Sequence, residues 1–336
     1  MKEKTYLTLD CNIEMPNLRI PISFIIDDSA PCINPLYYFR KQVNRIDFPI
    51  VREGVPMLRE IPNNFLFDFI KLINEEEVKG KFSLLPYPAG LGSIEKGLEG
   101  FKEREVKEFV FLVKNELIPR FDITPEILTH TLALDLKSNK LLNISEHDWS
   151  QNQNRKTLAN YIERALEILK NVDIIANGVT SPCNFGEKVE NNYARAILDA
   201  QKRVNNLSLT WYFLHFDKGE VILPKIIYLN ETDKEGVVSI ISGCHDFIWE
   251  TMSTKRDGKE YVYSLADKYI SLEGTSGRIV ELFNNNSYIV CCTHWQSLFS
   301  NGRRTGLRVF EEVVSRINRI LNKRIKWMKC SEIARY

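Results

Sequence analysis

The stretch PISFIIDDSAPCINP, residues 21–35, contains the feature on which the interpretation of this sequence depends. An apolar run ends in two adjacent carboxylates, Asp27 and Asp28, and the chain then breaks at Ser29 and Pro31. Neighbouring side chains in a strand point to opposite faces, but beyond the strand end both can approach one pocket. Two carboxylates placed together resist double ionisation unless a cation or hydrogen-bond donors compensate them. One could bind a divalent metal while the other acts as a base, or one could cap the turn while the other is solvated.

Composition and charge exclude several classes of protein. The 336 residues carry 45 Lys and Arg against 44 Asp and Glu, whereas nucleic-acid-binding proteins usually show a basic excess. No apolar run reaches the length of a membrane span. From the balanced charge we expect no nucleic-acid partner, and from the lack of a long apolar run we expect no membrane partner. The amino-terminal stretch MKEKTYLTLDCNIEM lacks the layout of a secretory signal, and the seven cysteines are scattered. These features favour a cytoplasmic protein with reduced thiols.

Apolar, strand-like runs alternate with amphipathic, helix-like runs along the chain. The strand-like runs are 21–26, 81–87, 172–179, 207–216, 221–229, 237–243 and 287–295. Apolar residues at helical spacing mark 63–80, where Gly80 could end the helix, and 104–117, 156–171, 189–204 and 305–322. This alternation predicts an α/β protein with a parallel sheet or a β/α barrel, as one domain over residues 1–336. A barrel gathers its chemistry at the carboxyl ends of its strands.

The last strong strand, 287–295, ends in His294 and Trp295. A histidine beside a tryptophan at a barrel mouth is a reasonable catalytic acid next to a residue that binds a sugar or ring. The alternative is a core histidine with Trp295 as packing. His215 and His245, with Asp246 beside it, also follow apolar runs, and they could equally be packing residues.

A third histidine, His130, lies in ITPEILTHTLALDL, residues 123–136, where Pro125 suggests a helix or turn. His130 is a possible metal ligand, although a lone histidine is more often structural. Asp135 follows five positions later, which is about 140° around a helix axis, so the two converge only if the segment is irregular.

The polar stretch ISEHDWSQNQN, residues 144–154, predicts a long exposed loop before the helix at 156–171. Loops of this kind often carry function, although a solvated connection explains the pattern equally well. His147, Asp148 and Trp149 of this stretch, together with Trp295, are our candidates for contacts with a substrate.

Three motifs in sequence order resemble the polysaccharide deacetylase-like members of the glycoside hydrolase/deacetylase superfamily. They are FIIDD near the start, HT at 130–131, and YIVCCTHWQSLFSNG, which is followed by a helical run and the final IKWMKCSEIARY. The resemblance implies a distorted β/α barrel, commonly of seven strands, with residues 207–275 as an elaboration or insertion. It also implies a carbohydrate partner and removal of an N- or O-acetyl group from a sugar or polysaccharide.

The resemblance assigns a role to each motif residue. The first Asp of the pair activates water in that family, which here would be Asp27, and the second binds a divalent metal, which here would be Asp28. The His of the H-[ST] motif is a metal ligand and matches His130. The His of the last strand motif is the acid and matches His294.

The sequence departs from the family pattern at one metal ligand. The family has a second metal-binding His four residues after the first, and Leu134 occupies that position here. Asp135 could replace the missing ligand for zinc or a similar metal, and His147 or Asp148 could also approach. The segment TSPCNFG stands roughly where the family has an Arg-containing motif.

Two other functions remain open from the sequence. A glycoside hydrolase on the same barrel needs two carboxyl groups, for which Asp27 could pair with Glu146 or Asp148. A non-catalytic carbohydrate-binding protein would need exposed aromatic surfaces instead. The tryptophans that could supply them are Trp149, Trp211, Trp249 and Trp295.

Overall fold

The computed structural model of the protein describes residues 18–44 and 55–336. The strands are β1 Ile20–Asp27, β2 Gly80–Leu84, β3 Phe121–Pro125, β4 Leu132–Asp135, β5 Lys140–Ser145, β6 Gly178–Thr180, β7 Leu209–Phe216, β8 Lys225–Asn230, β9 Glu235–Ser242, β10 Ile289–His294 and β11 Ile325–Trp327. The helices are α1 Pro35–Gln42, α2 Asn63–Glu75, α3 Glu103–Leu112, α4 Glu146–Ser150, α5 Arg155–Asn171, α6 Glu190–Asn205, α7 Lys259–Tyr269, α8 Arg278–Asn284, α9 Trp295–Phe299, α10 Thr305–Leu321 and α11 Cys330–Arg335.

Parallel pairing dominates the strand arrangement, as the alternation of strands and helices predicts. One sheet has the order β10-β1-β2-β3, and β11 also pairs with β1. A second sheet has the order β6-β7-β9-β8, in which β8 is an antiparallel edge strand. Single parallel bridges connect the two sheets, from Glu126 to Thr180 and from Cys244 to Cys291. The fold of the described residues is therefore mixed α/β with parallel sheets, and their continuous strand ladders alone do not show a closed barrel.

The two faces of the sheets carry different apolar clusters. One face packs under the helices in a large core, to which α2 contributes Phe65, Phe69 and Ile73 at helical spacing. A smaller cluster on the other face joins both sheets. Its members include Ile25 of β1, Trp211 and Phe213 of β7, Ile240 of β9 and Cys292 of β10. This second cluster fills the space between the strands and leaves polar side chains at their carboxyl ends.

Gly80 is the first residue of β2 and lies beyond the end of α2 at Glu75, so its expected role at a helix end is wrong. A Cβ atom on Gly80 would lie 1.8 Å from the carbonyl oxygen of Phe24 in β1. Glycine is therefore required because the two backbones approach closely.

Other differences from the sequence expectations concern short or polar segments. The strand expected at 172–179 is limited to Gly178–Thr180, and the loop expected at 144–154 contains the helix α4. The segment Phe121–Pro125 is the unpredicted strand β3, which alternates apolar and polar side chains rather than forming an apolar run. Within 207–275, β7 and β9 are central strands of the second sheet.

The described cysteines carry free thiols, and most of them are buried. None of the helices in the described part of the chain combines the length and the apolar character needed to cross a membrane.

Candidate functional site

The carboxyl ends of β1, β3 and β10 converge on one cavity of about 260 Å³. Its lining includes Asp27, Asp28, His130 and His294, so the structure brings these four residues together. Parallel pairing places Asp27 opposite His294 in register. Asp28 has a φ of 61°, and this left-handed conformation turns the chain so that its side chain enters the same cavity as that of Asp27.

Asp27 forms a buried ion pair with Lys81 of β2. The ammonium of Lys81 donates to Oδ1 of Asp27, and the Lys81 side chain is 0% exposed. The thiol of Cys292 donates to the other oxygen, Oδ2, at 3.5 Å. Each carboxylate oxygen of Asp27 therefore has its own partner: Oδ1 accepts from a charged ammonium, and Oδ2 accepts from a weakly donating thiol.

Asp28, Glu126 and His130 form a compact group at the same end of the sheet. Nε2 of His130 lies 2.5 Å from Oδ1 of Asp28 and 3.4 Å from Oε1 of Glu126. The backbone NH of Asp28 donates to Oε2 of Glu126 at 2.7 Å, and the Ser83 hydroxyl donates to the same oxygen at 2.5 Å. Gln296 of α9 donates its amide NH to Oδ2 of Asp28. One ligand atom from each of the three residues lies within 4.8 Å of the other two.

Burial and mutual repulsion shift the protonation of this group. Burial, followed by the charges of Asp28 and Asp27, raises the pKa of Glu126 to about 8. Burial also opposes the charge on Asp28 and on His130, but their mutual attraction outweighs it. The pKa of Asp28 is therefore lowered and that of His130 is raised. Burial and the neighbouring carboxylates thus disfavour ionisation of Glu126 within this group.

His294 is held by a carboxylate from the segment after β9. Nδ1 of His294 lies 2.8 Å from Oδ2 of Asp246, which leaves Nε2 for the cavity. Asp246 is itself fixed by donors from Thr293 at 3.0 Å, Ile248 at 2.9 Å and Ser297 at 2.8 Å. Burial opposes a charged imidazole, but the hydrogen bond that Nδ1 donates to Asp246 and the nearby carboxylates outweigh it and raise the pKa of His294 to about 9.

Glu146 stabilises the loop that carries His130. Its Oε1 accepts hydrogen bonds from the backbone of Leu128 at 3.2 Å and Thr129 at 2.9 Å, and from the Tyr161 hydroxyl at 2.8 Å. Its Oε2 accepts from the backbone NH of His130 at 2.8 Å. These bonds stabilise the left-handed conformation of His130, which has a φ of 60°. Glu146 is therefore a buried structural carboxyl group and does not appear in the lining of the cavity.

Apolar side chains form most of the rest of the cavity wall, together with Ser181 and Cys183. The apolar side chains are Leu36, Phe39, Phe213, Leu214, Phe216 and Trp249. The Trp249 ring lies 4.8 Å from that of His294 in an edge-on arrangement, and the Phe39 ring lies 6.2 Å from that of His130. The cavity thus joins a wall of titratable groups to an aromatic wall.

The structure places Trp295 and Asp135 away from this cavity. Trp295 is 0% exposed and packs against Phe65 at 4.6 Å between ring centroids, because α9 turns its side chain toward α2. Asp135 lies on the exposed β4–β5 hairpin, where its carboxylate accepts from the Ser138 hydroxyl at 2.6 Å. Leu134, at the position of the expected second metal ligand, is a core residue.

The residues of α4 also lie outside the described lining of the cavity. Asp148 and Ser145 hydrogen-bond to each other at the start of the helix, at 2.6 Å between their side chains. Trp149 packs on Tyr161, with ring centroids 4.5 Å apart. His147 stacks on Phe39 at 6.0 Å, so it lies behind the cavity wall rather than in it.

Glu126, Lys81 and Asp246 are site residues that the sequence reasoning missed as such. Glu126 precedes His130 by four residues, which is the spacing that the resemblance requires between two metal ligands. The four-residue spacing was therefore visible in the sequence, but Glu126 lies four residues before His130, whereas Leu134 lies four residues after it. Lys81 lies inside a strand, and this position does not show that it pairs with Asp27. Asp246 lies beside His245, and this position does not show that it pairs with His294.

Comparisons with known proteins support the fold. The sequence matches no protein-family model and no curated protein. The structure is similar to that of a Mycobacterium smegmatis protein provisionally described as a polysaccharide deacetylase. The TM-score is 0.55 and the identity 11%, and the match covers 98% of this chain and 94% of that one. At this identity the comparison shows a likeness of fold.

Two further solved structures are similar at lower scores. One is a protein from Parabacteroides distasonis provisionally described as a glycoside hydrolase/deacetylase, with a TM-score of 0.47, 10% identity, and coverage of 95% of this chain and 72% of that one. The other is described as a novel carbohydrate deacetylase, with a TM-score of 0.48, 10% identity, and coverage of 94% and 53%.

Proposed function

We propose that this protein is a metal-dependent hydrolase that removes an acetyl group from a sugar or polysaccharide. We further propose that the two sheets, connected by their single bridges, act as a distorted seven-stranded barrel around the cavity. The observation that carries the proposal is the presence in one cavity of a candidate base, a candidate acid and a metal-ligating group from distant parts of the chain.

The donor set of Asp28, Glu126 and His130 fits a divalent cation. Two carboxylates and one imidazole are ligand types that suit zinc and harder divalent ions. The raised pKa of Glu126 reflects burial and repulsion between carboxylates, and a bound cation removes that repulsion. Gln296 and Ser83 orient Asp28 and Glu126 respectively, as partners behind metal ligands commonly do. Glu126 thus takes the role for which Asp135 was the sequence candidate.

Within this proposal, each side chain of the cavity has a defined role. A divalent cation held by the three ligands would polarise the carbonyl oxygen of the acetyl group. Asp27 accepts a proton from the attacking water through Oδ2, since Lys81 occupies Oδ1. His294 donates a proton from Nε2 to the departing sugar nitrogen or oxygen, with Asp246 holding the imidazole in orientation. The aromatic wall near Trp249 lies where an acetyl or sugar face could pack.

The alternatives open at the sequence level have less support. A glycoside hydrolase needs a second free carboxyl group, and Glu146 is bonded to the backbone of the His130 loop while Asp148 accepts from the Ser145 hydroxyl that caps α4. Sugar stacking on Trp149 or Trp295 conflicts with the packing of both rings against neighbouring aromatic side chains.

Acetate release from a panel of N- and O-acetylated oligosaccharides, paired with metal analysis of the purified protein, tests this proposal. We expect a bound divalent cation and acetate release, and the variant Asp27→Asn should lose activity by about 10²–10⁴-fold because it lacks the base. Asp135→Asn is the matched control, since its carboxylate lies on a surface hairpin. A protein with no metal above trace and no acetate from the panel would overturn the proposal.

A further inference from the structure

A second group of metal-ligating atoms lies beside the first. Asp27, Cys292 and His294 each offer one ligand atom, and these atoms lie within 4.8 Å of one another. All three residues come from the adjacent strands β1 and β10, and Asp27 and Cys292 are buried. The group shares no residue with Asp28, Glu126 and His130, so occupancy of one group does not remove a ligand from the other.

The chemistry of the second group differs from that of the first. A thiolate, an imidazole and one carboxylate are a ligand set for zinc or the softer cadmium ion, whereas two carboxylates and an imidazole also suit harder ions. Nδ1 of His294 already binds Asp246 at 2.8 Å. Zinc-binding histidines usually have this arrangement, in which a carboxylate fixes the ring and Nε2 faces the metal.

The hydrogen bond between Cys292 and Asp27 marks the place that a metal ion would take. Sγ donates to Oδ2 of Asp27 at 3.5 Å, so the thiol proton now lies between the two candidate ligand atoms. Binding replaces that proton and the Nε2 proton of the His294 imidazolium: the S–H and N–H bonds break, S–metal and N–metal bonds form, and two protons leave to solvent, with no change in oxidation state.

The surrounding charges tolerate an added cation. Lys81 opposes it, but its ammonium bonds Oδ1 of Asp27 and leaves Oδ2 to the thiol. Asp28 and Asp246 add negative charge close to His294, which favours an added cation.

We propose that Asp27, Cys292 and His294 form a second metal site that selects thiophilic divalent cations such as zinc and cadmium, and that its occupancy inhibits the enzyme. Inhibition follows because the site would use the proposed base and the proposed acid as ligands. The binding part stands on the geometry of the three residues alone, whereas the inhibition part rests on the proposed deacetylase function.

Cadmium titration followed by ultraviolet spectroscopy tests the binding part without any activity measurement. The full chain is first saturated with Mn²⁺, which favours the carboxylate-rich group, and Cd²⁺ is then added. We expect a thiolate-to-cadmium charge-transfer band that is absent from Cys292→Ser. Cys291→Ser is the matched control and should keep the band, because Cys291 belongs to the apolar cluster on the opposite face of β10.

Other cysteines could also bind cadmium, among them the exposed Cys183 near the cavity. A band that survives in Cys292→Ser, or the lack of any band in the unmodified protein, overturns the proposal. If Cys292→Ser does not fold, X-ray absorption on the cadmium-loaded unmodified protein gives the ligands directly. A shell with one sulfur together with nitrogen and oxygen supports the site, and a shell without sulfur overturns it.

Zinc inhibition tests the second part. Excess Zn²⁺ should slow acetate release, and Cys292→Ser should raise the inhibitory zinc concentration by about tenfold or more, since even partners behind a ligand have effects of that size. Equal zinc sensitivity in both proteins would overturn the inhibitory role. A protein with the cadmium band but no acetate release would leave the metal site intact and count against the deacetylase proposal instead.

Discussion

Replacing Asp246 by asparagine should lower the pKa of His294 and reduce the fraction of its acid form at alkaline pH. The substitution keeps the shape of the side chain but removes the charge next to Nδ1 and disturbs a carboxylate that also accepts from Thr293, Ile248 and Ser297. His294 has a pKa of about 9 against an ordinary value of 6.5, a difference worth on the order of 3 kcal/mol.

Not all of that difference comes from Asp246. Asp28 and Asp27 also raise the pKa of His294, so the variant should retain part of the effect and titrate between the ordinary value of 6.5 and about 9. Because the acid must carry its proton to act, the alkaline limb of the rate profile should move to lower pH by the same amount. The raised pKa also stabilises the fold, fully below pH 6.5, and this contribution disappears as pH rises through about 9. The stability difference between the variant and the unmodified protein should therefore narrow over that range.

NMR titration of the His294 ring reads the pKa directly, and acetate release against pH reads its effect on the rate. Asp135→Asn is again the control, because its carboxylate bonds Ser138 on a surface hairpin and should leave the His294 titration unchanged. If His294 titrates at the same pH in Asp246→Asn as in the unmodified protein, the assignment of its raised pKa to Asp246 is refuted.

Three further predictions concern the charged groups around the cavity. Lys81→Met leaves Asp27 buried without its cation and should cost about 3–5 kcal/mol in urea unfolding. Lys79→Met, which loses only a partly exposed pair with Glu332, should cost about 1 kcal/mol or less, and equal losses would contradict the argument. Glu126→Gln should weaken divalent-cation binding by at least about tenfold in calorimetry, and unchanged affinity would remove Glu126 from the site. Because the pKa of Glu126 is about 8 and binding needs the carboxylate, a divalent cation should raise Tm more at about pH 9 than at about pH 5. Equal shifts in Tm at the two pH values would count against Glu126 as a metal ligand.

The convergence of Asp27, Asp28 and His294 could be anticipated because residues at the ends of parallel strands meet at one edge of a sheet, whereas His130 was grouped with them only through the family resemblance, since β3 was not predicted. That rule uses only local patterns, since each residue lies at or just beyond the end of an element. It does not extend to the next position in the chain: Trp295 follows His294 directly, but the turn into α9 places its ring in the core.

The partners of these residues could not be derived in the same way. Lys81 meets Asp27 because β2 lies beside β1, and Asp246 meets His294 because the segment after β9 bridges to β10. The order of strands in a sheet depends on the whole chain and cannot be read from any single run of residues. Glu126 is the exception, since its distance of four from His130 was visible, but Pro125 suggested a helix start where the structure ends β3.

The pairing of β1 with β10 determines when the site can exist during synthesis. Asp28 and Gln296, joined by a hydrogen bond, are 268 positions apart, so the ribosome completes β1 long before its neighbour emerges. Closing so long a loop is entropically costly, and long-range parallel pairing folds slowly. Until then the apolar edge of β1 is open to other chains. Nascent or truncated chains that lack β10 should therefore depend on chaperones and aggregate when expressed alone.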